Sequence, residues 1–160
     1  ALVDGFKKHP ALNAAFDDAK QEIVFMKYYN IGIAVDTPEG LMVPVIKNVD
    51  QKDILALAKE IAELAEKCRA RKIELADLQG GSFSITNVGS VGGQFATPII
   101  LPGQSAILAV MRMKEKPVAI AGKVEIRPML TLALAFDHRV LDGADAARFL
   151  NDVMLALSQP

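Results

Sequence analysis

Two long amphipathic helices, far apart in the sequence, constrain the fold of this 160-residue chain more than any other feature. Residues 51–70 carry apolar side chains at spacings of three and four, the period of one helix face. Residues 143–157 repeat that pattern, and the sequence between the two segments contains many short runs of β-branched and aromatic residues. Because strands and helices do not alternate regularly, the pattern predicts an α/β (α+β) fold with helices packed on a mixed β-sheet.

Short apolar runs predict the strands. Residues 23–35 and 41–46 flank a turn at residues 36–40, and Pro44 indicates an edge or a bulge in the second run. Residues 82–86 alternate polar and apolar side chains, as in a half-buried strand. Further strands are predicted at residues 105–113, 118–120, 124–126 and 130–136, with a hairpin turn at residues 121–123.

The helix ends also carry signals. Pro10 ends a short helix over residues 1–9. Asp50 is predicted to cap the helix over residues 51–70. Asp142 is placed to cap the last helix, and Asp145 three residues later resembles a capping box.

Composition excludes several classes of protein. The chain has 18 basic and 19 acidic residues and a net charge of −1, which argues against a nucleic-acid binder with a general basic field. No apolar run approaches the roughly 18–20 residues that span a bilayer. Cys68 has no second cysteine to pair with and is interpreted as a buried small hydrophobe. Because His9 and His138 are the only histidines, no metal site is expected. The class that remains after these exclusions is an intracellular domain.

The strongest candidate for a catalytic residue is a histidine in a predicted turn between an apolar strand and a helix. The segment is Phe136-Asp137-His138-Arg139-Val140-Leu141-Asp142-Gly143. A neutral histidine there can accept a proton at physiological pH. Two readings remain open, because His138 could equally be a hydrogen-bonded structural histidine and Arg139 a salt-bridge partner. The Gly-rich stretch 87–93 lacks the spacing of a phosphate-binding loop and is interpreted as a turn.

Four stretches, in order, resemble the dihydrolipoyl acyltransferases, the core subunits of 2-oxo acid dehydrogenase complexes. They are NIGIAVDTPEGLMVPVIKNV (30–49), DLQGGSFSITNVGSVGG (77–93), TPIILPGQSAILAV (97–110) and the C-terminal DHRVLDGADAARFL. The resemblance implies a chloramphenicol-acetyltransferase-like fold and acyl transfer between coenzyme A and a dihydrolipoyl thiol. Chloramphenicol acetyltransferase itself is an alternative, but it has a second histidine where this chain has Asp137.

The resemblance also implies roles for individual residues. His138 would be the general base, Thr86 would stabilise the oxyanion, and Asp142 would orient the active-site segment, without an acyl-enzyme and without a metal. Coenzyme A contacts would fall on a set of residues from three segments: Asp36, Asn87, Met111 and Met113. His9 is given no catalytic role.

The family further implies an assembly. A homotrimer would carry each active site between two subunits, so that a monomer is inactive, and trimers would form a 24-mer or 60-mer core. Partners would be lipoyl domains, whose lipoyl group lies outside this chain, and peripheral dehydrogenase and decarboxylase subunits. The location would be a bacterial cytoplasm or a mitochondrial matrix.

We interpret residues 1–160 as the C-terminal catalytic domain lacking its N-terminal segment. The acyl group predicted from the resemblance is acetyl, as in pyruvate dehydrogenase complexes. Succinyl and branched-chain acyl groups are the alternatives, as is an inactive truncated core that serves as a scaffold.

Overall fold

A computed structural model describes residues 1–158 of the chain. It contains three α-helices: α1 (Leu2–Lys8), α2 (Ile54–Arg69) and α3 (Gly143–Ser158). The strands are β1 (Ala14–Asp17), β2 (Glu22–Phe25), β3 (Ile31–Ile33), β4 (Val35–Thr37), β5 (Gly40–Met42), β6 (Val45–Ile46), β7 (Phe83–Asn87), β8 (Ala106–Val110), β9 (Lys114–Ile120), β10 (Lys123–Met129) and β11 (Leu132–Phe136). Among these residues, no helix is both long and apolar enough to cross a bilayer.

The main sheet has five strands in the order β11-β8-β7-β3-β6. Strand β7 runs parallel to both β3 and β8, whereas β11 and β6 pair antiparallel at the two edges. Three two-stranded hairpins, β1–β2, β4–β5 and β9–β10, lie outside this sheet. The predicted mixed sheet is therefore confirmed.

An aromatic cluster joins two helices to the sheet. The rings of Phe6 in α1 and Phe83 in β7 have centroids 4.9 Å apart, and Phe149 in α3 lies 5.6 Å from Phe6. All three side chains are fully buried. Gly5 allows the close approach of the helices, because a Cβ there would lie 2.7 Å from the Phe149 ring. This packing fixes α3, and with it the turn that precedes α3, against the sheet.

Two predicted boundaries were wrong. Helix α2 begins at Ile54, and Asp53 caps it by accepting a hydrogen bond from the Ala56 N–H at 2.7 Å, whereas Asp50 lies in a preceding 3₁₀ turn. The single strand predicted over residues 41–46 is divided into β5 and β6. Pro44 lies between them and has no N–H to donate to a ladder, although its carbonyl accepts a hydrogen bond from Ile33.

The strand predicted over residues 105–113 was also too long. Strand β8 ends at Val110, and β9 begins at Lys114. Strands β9 and β10 are longer than predicted, because each also contains charged residues and a proline, which gave no strand signal although they lie in an exposed hairpin. Its turn falls where it was predicted, with positive φ angles of 49° at Ala121 and 79° at Gly122.

Candidate active site

His138 lies in the turn between β11 and α3. The Asp137 carbonyl accepts hydrogen bonds from the N–H groups of Val140 and Leu141 at 2.9 and 3.2 Å, which closes the turn. The His138 side chain is exposed, and its ring lies 5.8 Å from that of Phe136 at the end of the strand. The turn therefore presents one imidazole to the outside of the chain on a backbone fixed from both sides.

Asp142 caps α3, as predicted. Its Oδ1 accepts hydrogen bonds from the N–H groups of Ala144 and Asp145 at 2.8 and 3.0 Å. These two bonds hold the pKa of the Asp142 carboxyl below its usual value, and the charges of Arg148 and His138 lower it further. A negative charge therefore stays beside the His138 turn at neutral pH.

The residues on either side of His138 pair with each other. The Arg139 side chain donates to both carboxylate oxygens of Asp137, with Nη2 to Oδ2 at 2.7 Å and Nε to Oδ1 at 3.0 Å. These bonds hold the pKa of the Asp137 carboxyl below its ordinary range. The salt-bridge interpretation of Arg139 is thereby confirmed.

Thr86 lies near the end of β7, in the wall of a cleft of about 670 Å³. Asp36 from β4 and Asn87 line the same cleft, and Arg69 reaches it from the last turn of α2. A second, largely apolar cavity of about 330 Å³ shares Thr86 and Val88 with the first. Thr86 thus lies where the two cavities meet, and the larger one carries a few polar side chains in a mainly apolar lining.

The Gly-rich loop after β7 is tied to the segment that follows β8. Asn87 Oδ1 accepts a hydrogen bond from the Gly89 N–H at 3.0 Å, and Arg112 N–H donates to the Gly93 carbonyl at 3.0 Å. A Cβ at Gly89 would lie 2.6 Å from the Met111 carbonyl, so the contact requires glycine. Met111 is buried and Met113 is exposed, and neither is among the residues that line the Thr86 cleft.

Within one chain, Thr86 and His138 lie toward opposite ends of the sheet. Thr86 pairs with Ala109 of β8, and Ala109 pairs with Ala133 of β11. Because β11 is antiparallel to β8, His138 lies five residues beyond Ala133 in the direction of the start of β7. At about 3.3 Å per residue along the strands, and two strand spacings of about 4.8 Å across them, the two residues are about 19 Å apart. One chain does not bring them together.

The comparisons with known proteins agree with this architecture. Residues 1–160 match the family described as 2-oxoacid dehydrogenases acyltransferase (catalytic domain). The chain belongs to this family. The acyltransferase fold also extends to chloramphenicol acetyltransferase, at a TM-score of 0.55 and 12% identity, which confirms the predicted fold and shows nothing more.

Relatives within the acyltransferase family include proteins of two complexes. The chain is 45% identical over 154 residues to the mitochondrial succinyltransferase component of the 2-oxoglutarate dehydrogenase complex of Bos taurus, covering 96% of this chain and 34% of that protein. It is 44% identical over 160 residues to the acetyltransferase component of the pyruvate dehydrogenase complex of Bacillus subtilis, covering 100% and 36%. The chain spans about a third of the length of these curated relatives.

Two solved acyltransferase structures are close in shape. The dihydrolipoamide acetyltransferase of Azotobacter vinelandii superposes with a TM-score of 0.94 at 44% identity, covering 99% of this chain and 65% of that one. The cubic core of a pyruvate dehydrogenase multienzyme complex superposes with a TM-score of 0.89 at 45% identity, covering 94% and 62%.

Three further residues, Arg69, Cys68 and His9, lie outside the set predicted for the site. Arg69 lines the cleft because α2 packs beside β4, a long-range contact that nothing in its own helix indicates. Cys68 is fully buried, and burial raises the pKa of its thiol, which agrees with a structural role. His9 Nε2 lies 2.9 Å from Asp152 Oδ2 and joins α1 to α3.

Proposed function

We propose that this chain transfers an acyl group between coenzyme A and a dihydrolipoyl thiol, as the catalytic domain of a core subunit of a 2-oxo acid dehydrogenase complex. The observation that carries the proposal is the sequence spacing of Thr86, His138 and Asp142. A serine, a histidine and an asparagine have been investigated for their role in the catalytic mechanism of the Azotobacter enzyme, and they are separated by 52 and 4 residues. Thr86, His138 and Asp142 have the same separations in this chain.

His138 would act as the general base. It takes the proton from the attacking thiol, and the thiolate adds to the thioester carbonyl of the acyl donor. The tetrahedral intermediate then breaks its bond to the departing sulfur, which recovers the proton from the imidazolium. The acyl group moves directly from one sulfur to the other, so no acyl-enzyme forms. The exposed position of His138 supports this role, because both thiols must reach it.

Thr86 would donate a hydrogen bond to the oxyanion of the intermediate. A threonine supplies the same hydroxyl donor as the serine of the Azotobacter enzyme, and one such donor contributes about 2.7–4 kcal/mol to transition-state stabilisation. The half-buried position of Thr86, at the meeting of two cavities, supports the role since a hydrogen bond is stronger where water is excluded.

Asp142 would act through the His138 turn. Its carboxylate caps α3 and so fixes the end of the turn that carries the imidazole. Its negative charge also favours the imidazolium that forms when His138 takes the proton. An asparagine, which stands at this place in the Azotobacter enzyme, retains the oxygen that caps a helix.

The distance between Thr86 and His138 supports a site shared by two subunits. The sheet register keeps the two residues about 19 Å apart in one chain, too far for both to act on one carbonyl carbon. A neighbouring subunit that brings its own Thr86 to His138 completes the site, as in the homotrimer that the family implies. Larger 24-mer or 60-mer cores, lipoyl domains and peripheral dehydrogenase and decarboxylase subunits belong to the same proposal.

The cleft beside Thr86 would hold coenzyme A. Asp36 and Asn87 offer polar side chains along it, and Arg69 offers a cation for one of the phosphate groups. The apolar cavity next to it suits the uncharged arm of the ligand. Met111 would contribute only through the backbone, which Gly89 contacts, and Met113 through an exposed side chain.

The acyl group and the location remain predictions. Acetyltransferase and succinyltransferase relatives are equally similar to this chain, at 44% and 45% identity. We retain acetyl as the predicted group. The named relatives include a mitochondrial protein and bacterial proteins, which supports a mitochondrial matrix or a bacterial cytoplasm as the location.

Subunit complementation tests the proposal. His138→Ala and Thr86→Ala are made in the complete protein, and each alone is expected to lower kcat about 1,000-fold and 100-fold, respectively. When the two variants are co-expressed in equal amounts, about a quarter of the intersubunit sites receive an intact His138 and an intact Thr86. Turnover is measured with acetyl-, succinyl- and isobutyryl-coenzyme A and dihydrolipoamide, and we expect recovery to about a quarter of wild type.

The control is a mixture of the two separately assembled variants, assayed immediately after mixing, which should stay inactive. Absence of recovery in co-expressed oligomers would place both residues in one subunit or outside the mechanism. Intact oligomers of the wild type without turnover on any donor would favour the scaffold alternative.

A further inference from the structure

Arg139 makes more contacts than a surface salt bridge needs. Its guanidinium holds both oxygens of Asp137, and its Nη1 donates to Asp18 Oδ1 at 2.5 Å. The same group lies 4.4 Å from the centroid of the Phe16 ring. Phe16 and Asp18 belong to the β1–β2 hairpin and its turn, more than a hundred residues earlier in the chain.

These contacts fix the backbone on both sides of His138. The Asp137 N–H donates to the Ser105 carbonyl at 2.8 Å, which continues the pairing of β11 with β8 by one residue. The Arg139 N–H donates to Asp137 Oδ1 at 2.9 Å. The residues on both sides of His138 are thereby held, whereas the His138 side chain has no hydrogen bond within residues 1–158.

The hairpin supplies a rigid support for the Arg139 side chain. Asp17 Oδ1 accepts hydrogen bonds from the N–H groups of Ala19 and Lys20 at 3.0 and 3.1 Å, so the turn next to Asp18 is itself fixed. A planar guanidinium can bind a carboxylate through two N–H groups and stack on a ring at the same time. Lysine keeps the charge but cannot reproduce this geometry.

We propose that Arg139 is a positioning residue, which holds the His138 turn against the β1–β2 hairpin so that the imidazole meets the reacting thiol in one fixed orientation. The inference rests on the proposed function, in which His138 is the base. Arg139 acts through His138 and is not itself catalytic. A displacement of about 1 Å at a reacting group can cost on the order of 100-fold in rate, so the loss of this support should appear in kcat.

The test compares Arg139→Met and Arg139→Lys in the complete, assembled protein. Both are expected to lower kcat by about 10-fold or more while the KM values for acyl-coenzyme A and dihydrolipoamide change less than about 2-fold. Asp18→Asn should lower kcat only about 2-fold, because the side chain of Asp18 is largely exposed and its charge is screened. Arg127→Met is the matched control, because Arg127 pairs with Glu125 on the β9–β10 hairpin and should leave kcat unchanged.

Several outcomes would overturn the inference. If Arg139→Lys has wild-type kcat, the charge matters and the geometry does not. If Arg139→Met changes kcat and KM in parallel with a loss of assembled protein, the role is merely structural. His138→Ala in the same preparation separates the two proposals: normal turnover there would remove the proposed function, whereas an inactive His138→Ala beside a fully active Arg139→Met would remove only the positioning role.

Discussion

The two ends of the main sheet are built differently. At the end that carries His138, charged side chains satisfy one another within the chain, as Asp137 pairs with Arg139 and Asp142 caps α3. At the end that carries Thr86, the cleft is open, and nearby apolar side chains remain in solvent, with Phe95 82% and Ile99 85% exposed. The charged side chains at the His138 end are therefore paired within one chain, whereas the Thr86 end is open to solvent.

The glycines at the two ends should differ most in their tolerance of a methyl group. Gly89→Ala places a Cβ 2.6 Å from the Met111 backbone, and overpacking of this kind costs about 1–3 kcal/mol in the free energy of unfolding. Gly143→Ala meets no atom within 4 Å, at the start of α3, and should change stability by less than about 0.5 kcal/mol. Thermal unfolding of the two assembled variants measures the contrast. Equal destabilisation would show that the Gly-rich loop is not held against residue 111.

Removing the positive charge of Arg69 from the open cleft should weaken the binding of acyl-coenzyme A and leave kcat unchanged. Arg69→Met is expected to raise the KM for acyl-coenzyme A about 10-fold, the lower end of the effect of one charge-assisted hydrogen bond, with kcat and the KM for dihydrolipoamide unchanged. Lys59→Met is the matched control, because Lys59 lies on the same helix in solvent beside Glu63. A fall in kcat with unchanged KM would mean that Arg69 acts at the histidine end instead.

The sequence predicted the elements of the histidine end well because the signals there are local. The apolar strand before His138, the helix after it and the cap at Asp142 all lie within a short stretch of chain, and each follows from spacing or side-chain chemistry. The same is true of α2, whose apolar stripe placed the helix. The error at its start, Asp53 rather than Asp50, is a choice between two equally suitable caps three residues apart.

The cleft at the Thr86 end could not be predicted from the sequence pattern, since the residues that line it come together only in the tertiary fold. Nothing near Thr86 shows that β7 runs parallel to both neighbours, and this parallel pairing is what separates Thr86 from His138. Arg69 enters the cleft because α2 packs beside β4, which is also a long-range contact. The family resemblance supplied Thr86, Asp36 and Asn87, and their joint position in one cleft agrees with it, although their roles stay predictions.

Acid should destabilise the His138 end of the sheet more than the Thr86 end. The pKa values of Asp137 and Asp142 are lowered by hydrogen bonds, so these carboxylates stabilise the fold fully above the unfolded-state value of about 3.9. This contribution is lost as the pH falls through the lower folded-state values, because protonation removes the acceptors that hold Arg139 and the start of α3. The bonds of the Gly-rich loop join uncharged groups and do not titrate in this range.

Amide hydrogen exchange of the assembled protein, corrected for the intrinsic effect of pH, measures the difference. As the pH falls below about 3.9, residues 137–145 should lose protection while residues 87–93 keep theirs. Asp137→Asn removes one of the titrating acceptors, so its protection at residues 137–139 should be lower at neutral pH and should depend less on acid. Simultaneous loss at both ends would mean that a global transition, and not these two carboxylates, governs the acid response. Loss confined to residues 137–145 would show that the His138 end of the sheet depends on charge and the Thr86 end on packing.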